Sequence, residues 1–114
     1  MVHSAKANVK EIDIAQYREL ASSGEPFTLI DVREDSEFQA GHAAGAIHLG
    51  KGIIERDIEG TIPDKGSKLV LYCGGGYRSA LAGESIQKMG YENVISLDGG
   101  WRAWNEAGLP TAKD

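Results

Sequence analysis

The stretch Leu69-Val70-Leu71-Tyr72-Cys73-Gly74-Gly75-Gly76-Tyr77-Arg78-Ser79 decides the fold of this chain. An apolar run ends at the only cysteine and glycines follow; Ala82, Ile86 and Met89 then share one helical face before Gly90 stops the helix. This reads as strand, turn and helix, with Cys73 at the strand's carboxyl end. A turn of residues without Cβ lets backbone N–H groups curl toward one point, and such a nest at a helix N-terminus attracts anions. Free cysteine has a pKa near ~8.5, lowered to roughly 3.5 to 7.5 beside a helix N-terminus or a cation. Cys73 is therefore the candidate nucleophile, and Gly74, Gly75, Gly76, Tyr77, Arg78 and Ser79 form its candidate anion-binding loop. A lone cysteine after an apolar strand is often an inert core residue. A structural cysteine needs no donor-rich loop beside it, however, and Arg78 can offer a forked set of donors to an anion held there. Tyr77 reads as a wall or rim. A β-branched residue at Gly75 is expected to turn its amide away and to damage catalysis more than stability.

Outward from this stretch, strands and helices alternate. Asp13 with Gln16 resembles a capping box, with Ile14, Tyr17, Leu20 and Ala21 as the apolar stripe and Gly24 as the stop. Phe27 to Val32 reads as a strand, Glu34 to Ala40 as a short helix, Gly41 to Gly45 as a turn and Ala46-Ile47-His48 as a short strand. Residues 50 to 67 read as irregular with helical turns, Val94 to Leu97 as a strand and Gly100 to Ala107 as a last helix. Short apolar strands alternating with helices imply a parallel sheet covered on both faces, with ligands beyond the carboxyl ends of the strands. Cys73 lies at one such end.

Composition narrows the function. A chain of 114 residues with a net charge of −5 suits one domain, assigned to residues 9 to 112 with residues 1 to 8 as a flexible N-terminus. That charge argues against nucleic acid or an anionic membrane surface as the main partner. No stretch approaches a membrane span and the first residues carry no apolar signal core, so a cytoplasmic protein is expected. A single cysteine excludes an internal disulfide, a multi-cysteine zinc site and a redox pair within the chain. Any sulfur exchange must be completed by another molecule. His42 and His48 lie among glycines at a spacing unsuited to one helix face and read as polar loop residues, so no metal site is expected.

Taken together, the residues resemble the rhodanese family of single-domain sulfurtransferases from about Ile12 to Pro110. The resemblance is carried by Asp31-Val32-Arg33, Glu37-Phe38 with Gly41-His42 and Gly45-Ala46-Ile47, the Cys73 to Ser79 loop, and Asp98-Gly99-Gly100-Trp101 leading to Ala107-Gly108-Leu109-Pro110. It implies an α/β fold with a central five-stranded parallel sheet, a cysteine that carries a persulfide, and loop amides that hold the transferred sulfur. The implied cycle takes a sulfane sulfur from thiosulfate or another persulfide donor and passes it to cyanide or a thiol, with no cofactor. Arg78 would orient an anionic donor. Asp31, Arg33, Glu37 and His42 would be supporting residues, Asp98 would shape the turn into the last helix, and Trp101 and Trp104 would pack. The loop departs from the thiosulfate-using pattern of many relatives, because Gly74, Gly75 and Gly76 supply backbone without a second cation.

Two other functions compete. Cysteine-dependent phosphatases and arsenate reductases also set a thiolate and an arginine around an anion-cradling loop, but theirs is one residue longer between the two. The shorter ring leaves less room for a tetrahedral oxyanion and suits one sulfur atom. A non-catalytic binding or regulatory module on the same fold is the third reading; retention of both Cys73 and Arg78 argues against it.

Overall fold

The computed structural model describes residues 9–50, 52–75 and 77–113, with Tyr77 described by its backbone alone. The expected flexible segment 1 to 8 and the loop residue Gly76 lie outside the described residues. In chain order the elements are β1 (Lys10–Ile12), α1 (Ile14–Ser22), β2 (Thr28–Asp31), α2 (Asp35–Ala40), β3 (His42–Ala43), β4 (Ile47–His48), α3 (Ile54–Thr61), β5 (Lys68–Tyr72), α4 (Tyr77–Lys88), β6 (Asn93–Leu97), α5 (Gly100–Glu106) and β7 (Thr111–Ala112).

Five strands pair in the order β1-β6-β5-β2-β4, every pair parallel. Strand β5 is central, which explains its unbroken apolar run: Leu69 and Leu71 face one side, Val70 and Tyr72 the other, and none of the four is exposed. On one face Leu69 and Leu71 join Ile54 and Ile58 of α3 and Ala82 and Ile86 of α4. On the other, Val70 and Tyr72 join Tyr17 of α1 and Trp104 of α5. Helices therefore cover both faces, as the alternation implied.

From β2 the chain passes to β4 on one flank and then crosses to β5 on the other, so the strand order reverses between β2 and β5. In open parallel sheets this reversal leaves a crevice at the carboxyl ends. Asp31 is in register with Tyr72 and the Val32 N–H donates to the Tyr72 carbonyl at 2.9 Å, so Arg33 and Cys73 leave the sheet side by side.

Helix α1 begins as read: the Asp13 carboxylate accepts from the Gln16 N–H at 2.8 Å and the Gln16 side chain accepts from the Asp13 N–H at 2.9 Å. The reading of residues 50 to 67 is corrected, because Ile54 to Thr61 form the regular helix α3, held by the buried Ile54 and Ile58. His42 is likewise a strand residue of β3 rather than a loop residue, and His48 lies in β4, where the strand reading of Ala46-Ile47-His48 put it; the glycines around them mark turns between strands of two residues each. Sequence reading also missed β1, which completes the five-stranded sheet beside β6, and the β3–β7 pair, which is antiparallel. Strands of two or three residues carry too little periodicity to be seen alone.

Candidate active site

Cys73 sits where β5 ends and is almost fully buried, 1% exposed. Its carbonyl accepts the Trp101 N–H at 2.6 Å, and the Gly74 carbonyl accepts the Arg102 N–H at 3.3 Å, so the first turn of α5 is pinned to the start of the cysteine loop. This close approach requires Gly100. Its φ is +49°, and a Cβ there would stand 2.1 Å from the Cys73 carbonyl oxygen. Gly99, with φ +80°, would bring a Cβ to 2.7 Å from that of Ala103. The exposed Asp98 precedes this glycine doublet in the turn between β6 and α5.

On the other side of the sulfur, Cys73 Sγ lies 3.7 Å from Ser79 Oγ, and Ser79 Oγ lies 2.7 Å from Ser96 Oγ. Both serines are fully buried. Ser79 comes from the first turn of α4 and Ser96 from β6, so two elements converge behind the thiol. Sequence reading passed over Ser96; the one signal was a hydroxyl residue inside the apolar run of a central strand.

Arg78 projects from the same helical turn toward α2. Its Nη1 and Nη2 donate to Glu37 Oε1 and Oε2 at 2.7 and 3.2 Å, a fork-to-fork pair between residues 41 apart in sequence. Nη2 stands 3.2 Å from where a Gly74 Cβ would be, so the guanidinium lies against the loop backbone. The hydrogen bonds from Arg78 pull the Glu37 carboxyl down to about 2. The Arg78 pKa is raised, first by those same bonds and then by the charges of Glu37 and Cys73, which places a positive charge within electrostatic reach of the sulfur. Sequence reading expected this fork to await an anion, whereas the structure gives it a carboxylate of the chain itself.

Asp31, Arg33 and Tyr72 form a second, wholly buried group behind the site. Arg33 Nη2 donates to Asp31 Oδ2 at 2.7 Å and to the Gly41 carbonyl at 2.6 Å. The Tyr72 hydroxyl donates to Asp31 Oδ2 at 2.6 Å and accepts the Ala43 N–H at 3.0 Å. Burial works against the charge of Arg33, but its bonds to Asp31 and the carboxylate charge outweigh that and raise its pKa. Burial, then the bond to Asp31, pushes the Tyr72 phenol well above its usual range. The Arg33 guanidinium lies 4.6 Å from the Trp101 ring centre. This network fastens the loop after β2, the turn into β3 and the first turn of α5 to one another. His42 is part of the same scaffold: its ring stacks on Phe38 at 3.8 Å, its Nδ1 lies 2.9 Å from the Phe38 carbonyl oxygen, and His48 stacks near Phe38 at 4.7 Å. Among the described residues no group of side chains could hold a metal ion, and no helix is long and apolar enough to cross a membrane.

Residues 13–107 match the family model of the rhodanese-like domain, and the chain belongs to that family. It is 34% identical over 82 residues to thiosulfate sulfurtransferase GlpE of Vibrio cholerae, covering 72% of this chain and 76% of that one. Among solved structures it resembles the polysulfide-sulfur transferase homodimer of Wolinella succinogenes, with a TM-score of 0.82, 28% identity, and coverage of 99% of this chain and 85% of that one. It also resembles a Rhodopseudomonas palustris protein of unknown function described as a possible tyrosine phosphatase, with a TM-score of 0.84, 28% identity, and coverage of 97% and 90%. Two other curated relatives are longer, and the chain spans about half of them, 55% of one and 46% of the other.

Proposed function

We propose that this chain is a sulfurtransferase that carries a sulfane sulfur as a persulfide on Cys73, within a single domain of residues 9 to 112. The observation that carries the reading is a thiol at the switch point of the sheet, backed by the Ser79 hydroxyl at 3.7 Å and within the field of Arg78. In the first half-reaction the Cys73 thiolate attacks the outer sulfur of a donor such as thiosulfate. A sulfur–sulfur bond forms to Cys73, the donor's bond breaks, and its electron pair leaves on sulfite. In the second, cyanide or a thiolate attacks the persulfide's outer sulfur and Cys73 departs as thiolate. This is covalent catalysis with ping-pong kinetics. The amides of Gly74 through Ser79 would stabilise both anionic forms of the sulfur, with no cofactor, in a cytoplasmic setting rich in thiol acceptors. The same fold and an arginine near the thiol also describe a phosphatase, but four residues separate Cys73 from Arg78, a ring better sized for one sulfur atom.

Intact mass after incubation with a panel of sulfane donors is the direct test. The wild-type chain should gain one sulfur atom and lose it to cyanide, while Cys73→Ser folds normally but gains none, since a hydroxyl cannot carry a sulfane sulfur. A sulfur adduct on Cys73→Ser, or turnover of a phosphoester without any sulfur adduct on the wild type, would reject the proposal.

A further inference from the structure

Arg78 is the one cation the sequence places in the cysteine loop, and the structure shows both arms of its fork on Glu37. Glu37 is fixed from behind: its Oε1 also accepts the Glu34 N–H at 3.0 Å in the first turn of α2, so the carboxylate is held in place by its own helix. A further arginine near the site, Arg33, is bound to Asp31. Glu34 adds a further negative charge felt by Arg78. In these two networks, then, the charges of Arg33 and Arg78 are matched by Asp31, Glu34 and Glu37, and the networks present no net positive charge to an arriving donor.

We propose that Glu37 is a specificity-determining residue: by occupying the Arg78 fork it tunes Cys73 toward sulfane donors whose reacting end carries at most a single negative charge, organic persulfides above all, and against the dianion thiosulfate. The inference rests on the sulfur-transfer reading. With an organic persulfide, the Cys73 thiolate attacks the terminal sulfur, which stays on Cys73 with its proton, and the carbon-bound sulfur leaves as a thiolate with the electron pair. Such a donor brings less charge into a site where Glu37 already neutralises Arg78. A dianion must either displace the Glu37 carboxylate or approach it. Glu37 acts through Arg78 and the local field and touches no reacting atom.

The experiment compares thiosulfate with the methanethiosulfonate anion, in which a methyl group replaces one charged oxygen while the outer sulfur is unchanged. Loading of Cys73 is followed by single-turnover kinetics and intact mass in the wild type and in Glu37→Gln, with folding checked by circular dichroism. A Coulomb effect scales with donor charge, so removing the carboxylate charge should speed loading from thiosulfate about tenfold and from methanethiosulfonate about threefold. Comparing the two proteins on each donor cancels the donors' intrinsic reactivities. Equal changes for the two donors, or a fall in both, would overturn the proposal and leave Glu37 as a purely structural clamp. Salt dependence of the wild type gives an arm free of any mutation: loading from thiosulfate should hold steady or rise as ionic strength increases by about tenfold, because screening removes no net attraction. A steep fall would show an open cationic site and overturn the proposal. If the wild type gains no sulfur from either donor, the sulfur-transfer reading itself fails, an outcome distinct from a failed charge preference.

Discussion

Gly100 and Gly75 show how differently two glycines beside one cysteine behave. A β-branched residue at Gly75 was expected to turn its amide away, yet Gly75 has no positive φ and nothing among the described residues lies within 4 Å of a Cβ there, so neither backbone conformation nor crowding supports that expectation. The crowding falls on Gly100, where a Cβ would collide with the Cys73 carbonyl and φ is in the left-handed region. Gly100→Ala should therefore lower stability by about 3 kcal/mol or more and displace the cysteine loop, whereas Gly75→Ala should stay within about 1 kcal/mol of wild type. Urea unfolding midpoints of the two variants measure the contrast. The signal for Gly100 was present in the doublet Gly99-Gly100 after Asp98, but a doublet does not say what the backbone is close to.

Elements meet around Cys73 through polar contacts as well as apolar packing. The bond between Ser79 of α4 and Ser96 of β6 ties the helix to the strand beside the thiol. Removing one hydroxyl leaves the other buried with a lost partner, at a cost of about 1–3 kcal/mol, whereas removing both spares part of that penalty. Ser79→Ala combined with Ser96→Ala should therefore destabilise less than the sum of the two single variants; strict additivity in the double-mutant cycle would deny the coupling. The Glu37–Arg78 pair ties α2 to α4 in the same way. Glu37 ionises at about 2 in the folded protein, below its unfolded value. Its contribution is thus fully present above the unfolded carboxyl pKa of about 4.3 and is lost as the pH falls toward about 2. Because both side chains are about a third exposed, solvent screening limits the effect to about 1 kcal/mol or less. Between pH ~4.5 and ~2, stability should fall less steeply in Glu37→Gln than in wild type, which denaturant titrations across that window would show.

At the scale of the whole molecule, the Asp31–Arg33–Tyr72 network joins pieces that the strand ladders leave separate. Asp31 ends β2, Tyr72 ends β5, and through Gly41 and Ala43 the same side chains hold the β3–β7 pair against the main sheet. Arg33 also covers the Trp101 ring of α5. Arg33→Met keeps most of the volume but leaves the Asp31 carboxylate, 0% exposed, without its cation. A loss of about 3–5 kcal/mol is expected in chemical denaturation, from the buried uncompensated charge. A loss below ~1 kcal/mol would mean that the hydrogen bonds from Tyr72 and the backbone suffice.

The sequence by itself determined the alternation of strands and helices, the position of Cys73 at a strand-to-helix turn and the parallel sheet, because each rests on patterns only a few residues long: an apolar run, a capping box, a glycine stop. It did not reveal β1, β3 or β7, whose two or three residues become strands only once a partner strand supplies the hydrogen bonds. Nor did it reveal what each charged or polar group near the cysteine binds. Glu37 and Arg78 are 41 residues apart, and Ser79 and Ser96 are 17 apart. Which donor meets which acceptor across such distances is decided by the order of strands in the sheet, since only folding brings the loops after β2, β5 and β6 to one end of the molecule.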